Sequence, residues 1–409
     1  MNNTKGMNKQ LLIMTLLIYV VSSVISYSAF SYFSGSKSII GDSNNQDTDE
    51  AGNTVTKEET LLTSLLNIDP AEEKTAVCPL NGKMYTQQEQ VAWEKKRPLA
   101  IMIENSVDAR PQSGLGDADI IFEAMAEGGV TRFMGMFYCG VQRYDTIIAP
   151  VRSARSYFID YASGFNYPLY VHVGGANIPG PANALGQISE YGWSLENDLN
   201  QFSIGYPTFV RNNDRLDKEV ATEHTMQTTT EDLWKVAEKR EWTNIAPERK
   251  YGRTTVGGDD WKESYKGWSF QDKVEAIGTT TNIKYEFWDG FSDYGVEWQY
   301  NPEANTYKRI LAGEAHIDLN TDKQIEAANV IVLLTDEKGP IDELKHMLYT
   351  TIGKGNALIF KNGDVVKATW SKKTRESELE FFDRKGDEIE FVRGLIWISV
   401  ADVSTEVTY

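Results

Sequence analysis

Residues 11–33 read LLIMTLLIYVVSSVISYSAFSYF, twenty-three positions without one charge, a length that spans about 30 Å of hydrocarbon as a helix. That segment divides the chain before anything else is decided. Lys5 and Lys9 precede it and no acidic residue does. The positive-inside rule therefore keeps residues 1–10 in the cytoplasm and sends everything beyond Phe33 outside. Its end lacks a clear small-residue cleavage site, which favours an uncleaved transmembrane anchor over a removed signal peptide. The expected location is the cell membrane, single-pass, with the folded parts extracytoplasmic.

Residues 34–77 read as a disordered acidic tether. Positions 34–75 hold nine acidic and three basic residues among repeated Ser, Asn, Thr and Gly, too little apolar surface to offset the entropy of ordering. Over the whole chain, 59 acidic against 41 basic residues leave a net charge of -18. That excludes a broad electrostatic grip on nucleic acid, so clustered cations must be local devices. Cys78 and Cys139 are the two cysteines of the sequence, and both fall on the oxidising side of the anchor. One disulfide is expected; two buried free thiols are the alternative.

From residue 78 the pattern is that of a packed domain of the α/β (α+β) class, expected over 78–240 with a mixed sheet and helices. PLAIMIE, ADIIFEAMA and TRFMGMFYC are strand-length apolar runs, and Gly128 and Gly129 between the last two supply a tight hairpin reversal. APVRSARSYFID places Ser153 as the N-cap of a helix, YPLYVHVGG gives another strand, and a further helix starts near Thr229 with an acidic first turn. Residues 241–262 turn polar and read as a linker. Residues 263–409 are expected to form a mainly antiparallel β domain, with hairpins around 301–305, at Asn362 and Gly363, and around Gly386. One helix is expected at IDELKHML, carrying His346 as a surface or boundary residue.

The common phosphate-loop, dinucleotide, zinc-protease and serine-hydrolase motifs are absent from the sequence, so any catalytic site would be assembled from dispersed residues. No metal site and no cofactor class can be read. Glu104, Glu123 and Glu127 sit inside or at the ends of apolar strands, where an unpaired charge is costly. Arg110, Arg132, Arg152 and Arg155 fall at strand ends of the same domain, which implies a Glu/Arg network. With Ser153, these arginines are the candidate ligand-binding residues. Glu123, Glu127, His172 and His224 are the candidate acid/base residues. His316 and Asp318 would share a face in an extended stretch, a polar second-domain site. The competing reading is a buried salt-bridge lattice that fixes strand order and binds nothing, with each histidine bonded to backbone.

RPLAIMIENSVDARPQSGLGDADIIFEAMAEGGVTRFMGMF, APVRSARSYFIDYA with YVHVGG, YKRILAGEAHIDLNTDKQIEAANVIVL and the closing DRKGDEIEFVRGLIWISV together resemble the YerB-like family of bacterial chains labelled lipoproteins, a domain of unknown function with N-terminal and C-terminal parts. The resemblance covers about 78–400 and implies an extracytoplasmic, membrane-attached, two-part protein with no assigned activity. One departure stands out: no cysteine follows the apolar segment before Cys78, so a lipid-modified cysteine is in doubt and the helix would do the anchoring.

Three functions fit these features. The first is a binding module for an anionic cell-envelope ligand, a polymer or lipid head group, at the Arg/Glu/His corner. The second is an envelope glycan hydrolase or transferase. The third is a protein-interaction scaffold built on the Trp- and Tyr-rich second domain.

Overall fold

The computed structural model describes residues 63–251, 254–272 and 278–409. The expected cytoplasmic tail, the anchor at 11–33 and positions 34–62 of the tether lie outside them. Among the described residues no helix is long and apolar enough to cross a membrane.

Leu99–Glu104 (β1), Ile120–Glu127 (β2) and Val130–Phe137 (β3) are buried along almost their whole length, as strands covered on both faces must be. β2 and β3 form the expected hairpin, with Gly128 and Gly129 at φ values of 56° and 92° that a Cβ disfavours. The chain continues through Ser156–Ser163 (α1) to Leu169–His172 (β4), parallel to β1, and to Asp198–Asn200 (β5), parallel to β4. Thr230–Lys239 (α2) closes this part, capped by the Thr229 hydroxyl, which accepts from the Asp232 N–H.

The second part opens with an antiparallel sheet of Asn282–Tyr285 (β6), Val296–Asn301 (β7) and Thr306–Leu311 (β8). Asn329–Thr335 (β9), Gly353–Lys361 (β10), Asp364–Lys372 (β11), Glu380–Phe382 (β12) and Ile396–Asp402 (β13) follow. β10 and β11 turn at Asn362 and Gly363, both at positive φ, the signature of a type I′ hairpin.

One ten-stranded sheet runs β5-β4-β1-β3-β2-β13-β9-β10-β11-β12. β13 lies parallel to both β2 and β9, so the last long strand joins the two parts. The described residues accordingly form one compact unit, and those of the 241–262 segment lie within it. On one face, α1 packs through stacked Phe122 and Tyr161 rings, 5.1 Å apart. Trp397 pairs with Ile121 across β13 and β2, which by the two-residue strand period is the opposite face. There it meets Trp298 of β7 at 5.3 Å. Cys78 and Cys139 form the expected disulfide, tying the segment before β1 to the chain just beyond β3.

Two local expectations are corrected. Ser153 does not cap a helix. Residues 150–154 are held extended by backbone bonds from Glu104 N–H to Pro150, Arg152 N–H to Met102, Val173 N–H to Arg152 and Ala154 N–H to Gly174. The helix starts only at Ser156, with Arg155 at the cap position making no side-chain cap bond. The 341–348 segment is a turn that leads into a short strand at Leu348, and not a helix. Asp342 accepts from both the His346 N–H and its ring Nδ1, and Lys345 takes a φ of 61°, so a local side-chain turn wins over a helix too short to be stable alone. His346 is consequently buried, at 4% exposure.

Candidate functional site

Most of the predicted charged residues converge where β1, β4 and β5 end. In sheets with parallel strands this carboxyl edge is where ligands collect. β1 delivers Glu104 there, nearly buried. Its Oε1 lies 3.2 Å from Arg152 Nε, and its Oε2 lies 3.0 Å from His224 Nδ1. Arg152 and His224 keep part of their side chains in solvent. Arg215 donates to the carbonyls of Ala109 and Pro111 at 2.6 Å each. Burial lowers its pKa to about 10 and the nearby Glu104 opposes that, so it stays charged at neutral pH.

The second half of the corner is built on Glu127. A strict two-residue period would put Glu127 on the face of Glu123. A register shift between Met125 and Glu127 breaks that period, as a bulge does. Glu127 then accepts from Arg132 Nη2 at 2.5 Å and from Arg155 Nη2 at 2.6 Å. Arg132 also donates to the Ser153 carbonyl and Arg155 to the Ala154 carbonyl, so both guanidinium groups pin the extended 152–155 segment. Burial alone would raise the Glu127 pKa, but Arg132 and Arg155 outweigh it and bring it to about 2. His346 lies in a backbone bridge with Glu127, which brings the 341–348 turn against the corner.

The other candidates go elsewhere. Glu123 is fully buried and accepts from Arg309 Nη2 with both oxygens, from Thr131 Oγ1 and from Trp397 Nε1. His316 takes Arg309 Nε on Nδ1 and pairs Nε2 with Gln112 Oε1. Burial, then Arg309 and Arg110, holds its pKa well below the usual value, so the ring is neutral. His316 and Asp318 do not act as a pair: Asp318 accepts backbone N–H groups of Gly114, Gly116 and Asn320. Burial still raises its pKa above the usual aspartate value, the backbone donors opposing. His172 is wholly buried between the Gly174 carbonyl and Asp198. Arg110 clamps Asn105 and the Asp293 carbonyl and stacks on Tyr294.

Sequence reasoning missed Arg309, Gln112 and Arg215. Arg309 was within reach: in TYKRIL it occupies an inward position between Tyr307 and Leu311, and a cation on the apolar face of an alternating strand requires a buried anion. Gln112 and Arg215 lie in irregular segments, where spacing carries no such signal. Among the described residues Cys78, Asp119 and Cys139 are close enough to share a metal, but both sulfurs are spent in the disulfide.

Models for the "Protein of unknown function (DUF3048)" N-terminal and C-terminal domains match residues 82–243 and 284–398. The chain belongs to the YerB-like family. The "Putative lipoprotein YerB" of Bacillus subtilis (strain 168) is 26% identical over 341 residues, 81% of this chain and 88% of that protein. The crystal structure of the YerB protein from Bacillus subtilis superposes with a TM-score of 0.63 at 24% identity, over 82% of this chain and 100% of that one. At that identity it speaks for the shared fold. The two family segments flank positions 244–283, which include all but the first three residues of the segment read as a linker.

Proposed function

We propose that this YerB-like protein is a membrane-attached extracytoplasmic binding protein whose Arg152, Glu104 and His224 corner takes an anionic group of a cell-envelope polymer or lipid head group. One observation carries this reading: Arg132, Arg152, Arg155 and Arg215 gather there around Glu104, Glu127 and Glu223, a local excess of positive charge in a chain of net charge -18. Arg152 is the most exposed of the three paired with Glu104 or Glu127, so it is the residue an incoming anion meets. Arg132 and Arg155 hold its segment in place. A cavity of about 1110 Å³ under β6 and β7 carries seven carboxylates against Lys284 alone and is unsuited to the same ligand.

Arg152→Gln weakens binding of a polyglycerol-phosphate fragment or of phosphatidylglycerol vesicles by about tenfold or more, the scale of one charge-assisted contact. It also takes away one of the two partners of nearly buried Glu104 and lowers the melting temperature, so binding is compared well below the unfolding transition of the variant. Arg155→Gln lowers the melting temperature, because it removes half of the pairing of Glu127. Wild-type binding by Arg152→Gln would overturn the assignment. Membrane attachment is supported by the lipoprotein name of the relative, and residues 11–33 are assigned to it on their charge-free length alone. Proteinase added to intact protoplasts should then remove the folded part.

A second reading has its own observation. Glu104 holds Nδ1 of His224, while Nε2 has no partner among the described residues, the arrangement of an oriented general base. If the protein acts on envelope glycan, it alters the composition of isolated cell walls and His224→Gln abolishes the change.

A further inference from the structure

We infer that the N-terminus of α1 closes one end of a second site, which takes a small amino-acid-like zwitterion. A pocket of about 260 Å³ lies between α1, residues 181–187 and the two-residue strands at 337–338 and 348–349. Ser156, Tyr157 and Asp160 of α1 line it, and 156 and 160 are neighbours on one helix face.

At one end are donors without acceptors. Ser156 is only 6% exposed, yet its hydroxyl has no hydrogen-bond partner among the described residues. The N–H groups of Ser156 and Tyr157 have none either, since the first bonds back to the Arg155 carbonyl come from Phe158 and Ile159. Arg155 offers no side-chain cap and is turned to Glu127. N–H groups left free at a helix start, with a hydroxyl beside them that opens on the pocket, suit a carboxylate.

At the other end is a carboxylate with no ion pair in contact among the described residues, Lys372 and Arg375 acting on its charge only from farther away. Thr351 Oγ1 donates to Asp160 Oδ2 at 2.6 Å, and Oδ1 takes no donor among the described residues. Asp336 adds a second negative charge to the wall, and Lys338 is its one cation. Helical side chains lean towards the N-terminus, so the Asp160 carboxylate is carried back over the rise of about 6 Å that separates it from Ser156. That brings it within the reach of an α-ammonium whose carboxylate sits on the helix end. Tyr157, Leu348 and Tyr349 supply apolar flanks for a side chain. An inorganic anion would answer the donors but face Asp160 and Asp336; a plain amine would answer the aspartates and leave the donors bare. A ligand with both poles satisfies both ends. This inference does not rest on the Arg152 corner, because none of the pocket residues belongs to it.

The test is calorimetric titration of the detergent-solubilised full chain with glycine, L- and D-alanine and L-leucine. N-acetyl-L-alanine and L-alaninamide serve as single-pole controls. The free amino acids bind, each capped form binds at least about tenfold more weakly, and Ser156→Ala or Asp160→Asn weakens the free forms by about fivefold or more, the scale of one lost polar contact. Asp160→Asn keeps an acceptor for Thr351. Should that variant nonetheless misfold, Ser156→Ala and the capped ligands decide. No heat from any free amino acid up to about 10 mM, where millimolar ligands still register, would overturn the inference. So would equal binding of free and capped forms, or wild-type affinity in Ser156→Ala.

Discussion

Glu123→Gln destabilises the folded unit by about 3–5 kcal/mol, the cost of leaving one member of a buried ion pair uncompensated. Glu123 and Arg309 are both fully buried, with Nη2 at 2.8 Å and 3.1 Å from the two carboxylate oxygens. Arg309 has little else to answer its charge. Its Nε donates to the neutral His316, its Nη1 has no hydrogen-bond partner among the described residues, and its Cζ lies 4.2 Å from the centre of the Trp397 ring and 5.1 Å from that of Trp298. The pair joins β2 to β8, so the loss is felt across both parts of the chain. Glu123→Gln combined with Arg309→Met removes both charges from an apolar cage and recovers most of the stability, because a well-packed apolar pair is often as stable as the ions it replaces. Urea unfolding at neutral pH measures both variants. A loss below about 1 kcal/mol for Glu123→Gln, the size of an ordinary hydrogen bond, would show that the pair is solvated in a way its burial denies.

The sequence made the strands legible and left their order hidden. The apolar runs of β1, β2, β3 and β9, the Gly128–Gly129 reversal and the Asn362–Gly363 turn all rest on local physics, side-chain period and backbone conformation, and they appear where that physics puts them. The parallel insertion of β13 between β2 and β9 depends on a contact about 270 residues apart in sequence, which no local pattern encodes. The same division governs the site. That Glu104, Glu123 and Glu127 need cations followed from the cost of burying charge; which cation each finds did not. Glu123 takes Arg309 from the far part of the chain, and Glu127 reaches Arg132 and Arg155 through a register shift that a strict alternation misses. Ser153 failed as a helix cap for the same reason, since its segment is claimed by backbone partners on β1 and around Gly174.

Two carboxylates give the stability of this protein opposite slopes with pH. Glu127 has a folded pKa of about 2 against an ordinary 4.5. Its pairing with Arg132 and Arg155 therefore contributes fully above about pH 5 and is lost as pH falls through 2, in all about 3 kcal/mol by linkage. Asp119 is the reverse. Burial raises its pKa from 3.8 to about 7, although the N–H groups of Tyr138 and Cys139 and the Asn81 amide donate to it. A raised folded pKa means that the native state holds a proton the unfolded chain has released. The stability from that proton is complete below 3.8 and is lost as pH rises through 7. Glu127→Gln mimics the protonated acid, so its unfolding free energy converges on wild type as pH approaches 2 and separates from it by pH 5. Asp119→Asn keeps an acceptor oxygen and removes the charge, so it flattens the decline between pH 4 and 7 that wild type shows. Urea denaturation from pH 2 to 8 on the three proteins resolves the two slopes. If the Glu127→Gln deficit is the same at pH 2.5 and pH 7, the two arginines do not hold that carboxylate ionised, and the corner owes its order to the backbone bonds of residues 150–154 instead.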